Sequence, residues 1–342
     1  MSTDSPLPIL GAVGSPYTRK LRAVCRYRRL PHVFIQNGNP ESRGLPKPKV
    51  ELMPQLILEE DGERKAMTDT TPLIRRLEES YPNERSVIPD DPALAFLDAL
   101  VEDYGDEWIT KAMFHYRWAY AADIDKAGAI LPRWSMSQQP DEKLEGLKQL
   151  FSKRQIDRLW VVGSNEKTGP IIEASYERFL GAMENHLREH RFVLGNRPGS
   201  GDFGLYGQLT QLALFDPTPM ETTLRISART YAWAELVEDL SGLEPVATDW
   251  FARDGLPDTF RALLAEIGRV YPPFLLANAE ALATGAEKVE CEIDGEAYTQ
   301  KPFPYQGKCL EWLRSDYAAL SDSDRTFIDD TIAGTGLERL FA

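Results

Sequence analysis

Cysteine is scarce in this chain of 342 residues: Cys25, Cys291 and Cys309 are odd in number and far apart. That usage excludes a disulfide framework and suits a reducing compartment. Positive charge is also short, with 39 lysines and arginines against 53 aspartates and glutamates, a formal net charge of -14. The balance argues against binding to nucleic acid or to an anionic membrane surface. No apolar run approaches the ~18 residues that a membrane-spanning helix needs. The start, Met1-Ser2-Thr3-Asp4-Ser5, has no basic-then-apolar signal pattern, so a cytoplasmic location is expected. Histidine is rare too. His186 and His190 lie one helical turn apart, but Glu184 and Glu189 give no zinc-hydrolase spacing. Arg188 and Arg191 flank them in a segment that reads as exposed, and no metal is expected. The length allows two domains and a sizeable core.

Ser15-Pro16-Tyr17-Thr18 follows the strand-like run Pro8 to Val13 and opens an amphipathic helix through Arg19-Lys20-Leu21-Arg22. A strand that turns into a helix in this way aims backbone N–H groups and a hydroxyl at one point, where an anion such as a thiolate is stabilised. Ser-Pro is equally an ordinary N-cap and first-turn pair with no chemistry attached. Downstream, Pro54 heads the apolar run Gln55 to Leu58, a place for proline at a strand start or special turn. Glu60-Asp61-Gly62-Glu63 reads as a hairpin turn, followed by a return strand from Arg64 to Met67. Thr68-Asp69-Thr70-Thr71-Pro72 then caps a helix whose apolar residues are Leu73, Ile74 and Leu77.

In this order, Ser-Pro-Tyr-Thr-Arg-Lys, Met-Pro-Gln-Leu and Thr-Asp-Thr-Thr-Pro-Leu-Ile resemble the N-terminal domain of the cytosolic glutathione S-transferase superfamily, in its Ser-type form. A further match, Phe192-Val193-Leu194-Gly195 through Pro198-Gly199-Ser200-Gly201-Asp202, resembles the segment that caps a buried helix in that family's C-terminal domain. Gly199 stands where the family has serine, which removes the side-chain half of the capping box; Asp202 reads as structural rather than catalytic. The resemblance covers about residues 7 to 270 and implies an α+β chain. A thioredoxin-like domain with a mixed four-stranded sheet, residues 1–87, precedes an all-α bundle, residues 93–282.

The resemblance also implies roles. Ser15 would hydrogen-bond the glutathione sulfur, with Thr18 as a second donor and Tyr17 as a weaker one; which hydroxyl faces the sulfur stays open. Neither Ser15 nor Thr18 is a cysteine, so a thiol-reductase is disfavoured. A cis Met53-Pro54 bond would leave the Met53 backbone to pair with the glutathione peptide. Asp69 and Thr70 would hold the γ-glutamyl ammonium and carboxylate. Among Arg43, Lys47 and Lys49, Lys49 is the candidate for the glycyl carboxylate.

Helical patterning runs from Ala93 to about Leu282, broken at Gly169-Pro170, Asp216-Pro217 and Tyr271-Pro272-Pro273. Its most aromatic stretch, Leu97 to Tyr120, offers Tyr104 and Trp108 as pocket candidates and Arg117 as a polar contributor, although aromatics at helical spacing more often form core. Residues 283–342 exceed the family's usual length. Asp294-Gly295 marks a hairpin, followed by a helix from about Tyr305 to Leu320 and another from Ser321 to Gly334. The expected function is glutathione conjugation to a hydrophobic electrophile, or a related dehalogenation or ether cleavage, in a homodimer. The alternative is a non-catalytic binding or scaffold protein on the same fold.

Overall fold

The computed structural model describes residues 5–60 and 62–342. Residues 1–4, read above for a signal pattern, and Asp61 of the expected hairpin turn lie outside the described residues. Four strands, β1 (Leu7–Gly11), β2 (His32–Gln36), β3 (Gln55–Glu60) and β4 (Glu63–Thr68), form a mixed sheet in the order β2-β1-β3-β4. β1 runs parallel to β2 and antiparallel to β3, which pairs antiparallel with β4. Two helices, α1 (Pro16–Tyr27) and α2 (Thr70–Ser80), complete a thioredoxin-like unit. The helix α1 starts where Pro16 occupies the first turn and the Ser15 hydroxyl caps the Thr18 N–H at 3.2 Å. Its Leu21, Val24, Cys25 and Tyr27 pack inward, as do Leu73, Ile74 and Leu77 of α2.

The remainder is mostly helical: α3 (Pro92–Tyr104), α4 (Thr110–Ala119), α5 (Ala121–Met136), α6 (Asp141–Ile156), α7 (Gly169–His186), α8 (Ser200–Leu212), α9 (Pro217–Ile226), α10 (Ala228–Val237) and α11 (Asp258–Thr284). Between α3 and α4 the helix widens into a π-type turn, Gly105–Ile109. Such a turn inserts an extra residue and rotates the faces on either side of it. Every residue of α8 is buried. This helix lies against α3 and against the first turn of α1, where an added Cβ on Gly207 would stand 2.8 Å from the Pro16 carbonyl oxygen. Arg85, 2% exposed, joins the sheet side to the segment after α10 by donating to the Leu240 and Leu243 carbonyls at 3.1 and 2.5 Å.

Two expectations are corrected here. The Tyr271-Pro272-Pro273 segment does not end a helix; α11 runs through both prolines. Interior proline costs ~3 kcal/mol or more. The buried Tyr271, Phe274 and Leu275 around it provide the tertiary packing that offsets this loss. Arg188, Glu189 and Arg191 are exposed as expected, but His186 itself is not. His186 is fully buried, with Nε2 at 3.1 Å from the Phe192 carbonyl and Nδ1 at 3.0 Å from Thr259 Oγ1. Burial pushes its imidazole down to about 4.

The C-terminal residues dock. β5 (Val289–Ile293) and β6 (Glu296–Gln300) form a hairpin through Asp294 and Gly295, both at positive φ. The hairpin packs on α11, while α12 (Pro304–Ala319) and α13 (Asp322–Ile332) cover α3. Phe341 closes this layer by stacking on Tyr317 and meeting Phe96 edge-on. Among the described residues, no helix is long and apolar enough to cross a membrane.

The cap of α8 shows why glycine replaces serine at position 199. Asp98 of α3, 1% exposed, accepts from the Ser200 hydroxyl at 2.5 Å and the Gly201 N–H at 3.0 Å. An added Cβ on Gly199 would lie 2.1 Å from Asp98 Oδ1. Asp202 keeps the other half of the cap, accepting from the Gly199 and Val193 N–H groups at 2.9 Å each. The missing side chain is thus replaced by a carboxylate from a neighbouring helix. Gly199→Ser, which restores a good N-cap residue on paper, is expected to destabilise the protein by about 1–3 kcal/mol through overpacking. Urea unfolding midpoints of the two proteins measure it, and an unchanged or higher midpoint would contradict this account.

Candidate active site

Strand register gathers the sequence motifs. Leu10 of β1 faces Gln55 of β3, and Gln55 faces Thr68 of β4. The ends of β3 and β4 therefore deliver Met53-Pro54 and Asp69-Thr70 to the C-terminal end of β1, beside the loop that carries Ser15. The Met53–Pro54 bond is cis, as the resemblance implies, and Met53 is 37% exposed. Asp69, at φ 77, turns the chain from β4 into α2.

The hydroxyls at the start of α1 divide sharply. Ser15 is half-buried, and its oxygen accepts from Thr18 N–H, while its own O–H donates to no partner among the described residues. Thr18 is fully buried; its Oγ1 accepts from Ala12 N–H at 3.3 Å and its methyl fills the space beside Gly11. Tyr17 points away from the β1 end and donates to the Asp106 carbonyl at 2.8 Å. Burial, then Glu107 and Asp106, raise its phenol well above the ordinary value. Thr18 and Tyr17 accordingly tie α1 to β1 and to the π-type turn, while Ser15 is the less buried hydroxyl at the helix start. Lys49 is exposed on the loop before β3, and Thr70 is 4% exposed in the first turn of α2.

Beneath this end of α1 lies a buried ionic cluster. Lys20 Nζ, fully buried, meets Glu102 at 2.7 Å and Asp106 at 2.5 Å, and Arg75 reaches Glu102 at 2.6 Å. Burial opposes every one of these charges, but Arg75 and Lys20 hold the Glu102 carboxyl down at about 2. Next to it, Asp103 accepts from the Tyr271 hydroxyl at 2.5 Å. Burial, with the nearby Asp106 and Glu102 charges, pushes the Asp103 carboxyl up to about 7.

The pocket candidates on the aromatic helix are also corrected. Tyr104 is fully buried between Phe179 and Tyr271. Trp108 is 1% exposed, donates to Ser175 Oγ at 3.1 Å and lies against Phe274 and Tyr298. Both are core, because α11 and the C-terminal hairpin close over that face. Arg117, 4% exposed, is bound to Asp216 at 2.8 Å and Gln211 at 2.7 Å. It still borders the site, reaching the Gly14 carbonyl at 3.4 Å, but it braces the loop rather than facing solvent.

The wall over Ser15 comes from elsewhere. An added Cβ on Gly14 would stand 2.4 Å from Leu131 Cδ2 and 2.5 Å from Trp134 Cζ3, both on α5. Trp134 packs on Phe215 at 5.3 Å between centroids, and all three apolar side chains are half-buried. Sequence reasoning missed them. Leu131 and Trp134 were signalled only by apolar spacing along α5, and Phe215 only as an apolar residue before the Asp216-Pro217 break, and neither signal says which loop they lie over.

Residues 10–85 match the family model described as the glutathione S-transferase N-terminal domain. No curated protein matches the chain. Among solved structures, the chain is similar to a glutathione transferase family member from Pseudomonas fluorescens Pf-5 with two glutathiones bound, at 12% identity over 68% of this chain and 86% of that one, TM-score 0.39. It is similar to a glutathione transferase from Burkholderia graminis with two glutathione molecules per subunit, at 14% identity over 75% and 87%, TM-score 0.40. It is also similar to a maleylacetoacetate isomerase from Anaeromyxobacter dehalogenans with bound glutathione, at 19% identity over 67% and 94%, TM-score 0.35. At these scores the likenesses carry no residue roles across. The family-model match falls on the thioredoxin-like unit at the N-terminus.

The ionic cluster makes two predictions. Lys20→Met, which leaves Asp106 buried without its cation, is expected to cost about 3–5 kcal/mol, read from chemical unfolding. For pH, the signs oppose each other. The stabilisation from depressed Glu102 is lost as pH falls from the ordinary ~4.3 toward about 2. That from raised Asp103 is present below ~3.9 and lost as pH rises through about 7. The thermal midpoint should therefore peak at mildly acidic pH, and Asp103→Asn should flatten the decline toward pH ~8. A variant that declines as steeply as the wild type would rule Asp103 out as the cause.

Proposed function

We propose that the chain binds glutathione at the C-terminal end of β1 and activates its thiol for attack on a hydrophobic electrophile. The observation that carries the reading is the Ser15 O–H at the N-terminus of α1, which donates to no partner among the described residues, on the same sheet end as Met53 and Asp69. A hydroxyl that donates to the thiolate and a helix N-terminus both favour the charged form of the sulfur. A free thiol titrates near ~8.5, and each unit of depression corresponds to about 1.4 kcal/mol. One or two units make thiolate the main species near neutrality, so no separate general base is needed.

In this reading the Met53 backbone pairs with the cysteinyl peptide. Asp69 takes the γ-glutamyl ammonium, Thr70 its carboxylate and Lys49 the glycyl carboxylate. Leu131, Trp134 and Phe215 supply the apolar wall that brings the electrophile in line with the sulfur. The sulfur lone pair forms the new bond to carbon while the leaving group departs with the old bond pair, or an activated double bond takes up the charge. Residues 1–87 hold glutathione, residues 93–282 shape the electrophile side and residues 283–342 form the extension. A homodimer and a cytoplasmic location belong to the same reading.

The test is a pH titration of thiolate absorbance at saturating glutathione, for the wild type and for Ser15→Ala. Ionisation at least one unit below free glutathione, lost in the variant, is the expected result. Binding without any shift would favour the non-catalytic reading of the same fold, and absence of binding would end the glutathione reading altogether.

A further inference from the structure

The C-terminal segment reaches the site through one side chain. Tyr305, in the first turn of α12, donates from its hydroxyl to Asp69 Oδ2 at 2.7 Å, across 236 positions of sequence. Its placement is built rather than incidental. Asn278 of α11, fully buried, clamps the backbone just before it, donating to the Phe303 carbonyl at 3.1 Å and accepting from the Phe303 N–H at 2.8 Å. On the other side the Tyr305 ring meets Trp312 edge-on at 6.0 Å. The neighbouring Gln306 is 4% exposed and anchors the same turn in the interior.

The partner's chemistry matters. Lys20, the nearest cation of the cluster, is already held by Glu102 and Asp106. Tyr305 is a neutral donor, so it orients the Asp69 carboxylate without cancelling its charge. The Tyr305 hydroxyl and the nearby Thr71 N–H still leave lone pairs of the carboxylate for a further donor. Holding the group in one rotamer beforehand lowers the ordering cost of binding. An ammonium group is the ligand that such an arrangement suits.

We propose that Tyr305 is a positioning residue for recognition of the γ-glutamyl α-ammonium, acting by holding Asp69, so that residues 283–342 complete the glutathione site from within the same chain. The proposal rests on the reading that Asp69 receives that ammonium.

Calorimetric titration of the full-length protein with two ligands tests it: glutathione, and its analogue lacking the α-amino group, glutaryl-cysteinyl-glycine. Tyr305→Phe is expected to weaken glutathione about 10-fold, the scale of a hydrogen bond to a charged group, and to leave the analogue within about twofold of the wild type. In an Asp69→Asn background the same change should add nothing. Equal weakening of both ligands, or of neither, overturns the proposal, because a structural role would not distinguish an amino group. Thermal midpoints check folding, and Tyr305→Leu provides the same comparison if the phenylalanine variant misfolds. Wild-type protein that binds neither ligand would refute the glutathione reading itself, and the role of Tyr305 with it.

Discussion

Lys20 buries a full positive charge where α1 meets the helical part of the chain, and the surrounding architecture follows from the need to satisfy it. An ammonium taken out of water is tolerated only with close carboxylates and further hydrogen bonds. Glu102 and Asp106 supply the carboxylates, and Arg75 from α2 balances the second negative charge. Meeting that demand fixes α1, α2, α3 and the π-type turn relative to one another. The loop holding Ser15 precedes α1 and Asp69 precedes α2, so the same cluster sets the distance between the two ends of the candidate site.

A second constraint is close packing around α8. Gly207 lets α8 approach the first turn of α1, and Gly199 leaves room for the Asp98 carboxylate that completes its cap. The departure from serine at position 199 is therefore compensated in space by a residue about a hundred positions away in the chain. The C-terminal segment adds a third layer. It covers α3 and α11 and packs Tyr298 on Trp108, while α7 and α11 bury Tyr104, which leaves the wall over Ser15 to α5 and Phe215.

Much of the first ninety residues was legible because their signals are local. Ser15-Pro16 states a helix start in its own chemistry, Asp69-Thr70 another, and short apolar runs bounded by turn residues mark strands between them. The hairpin at Asp294-Gly295 was legible for the same reason, since only a few residue types accept positive φ at both turn positions. The structure departs from the local reading where side-chain direction or neighbours decide. Tyr17 and Thr18 lie one and two residues from Pro16 at the start of α1, yet both face inward. The helix α11 continues through Pro272-Pro273 because surrounding side chains outweigh the local penalty.

By itself, then, the sequence determined the order of elements, since capping, turn chemistry and short apolar runs act over a few residues, while the thioredoxin-like topology and the segments expected to meet at the end of β1 were implied by its resemblance to a known family. Only the tertiary structure decided which hydroxyl is the less buried, which aromatics line the mouth, and that Tyr305 touches Asp69. Those outcomes depend on contacts between segments separated by tens to hundreds of positions, made possible by burial and charge pairing that no local pattern encodes.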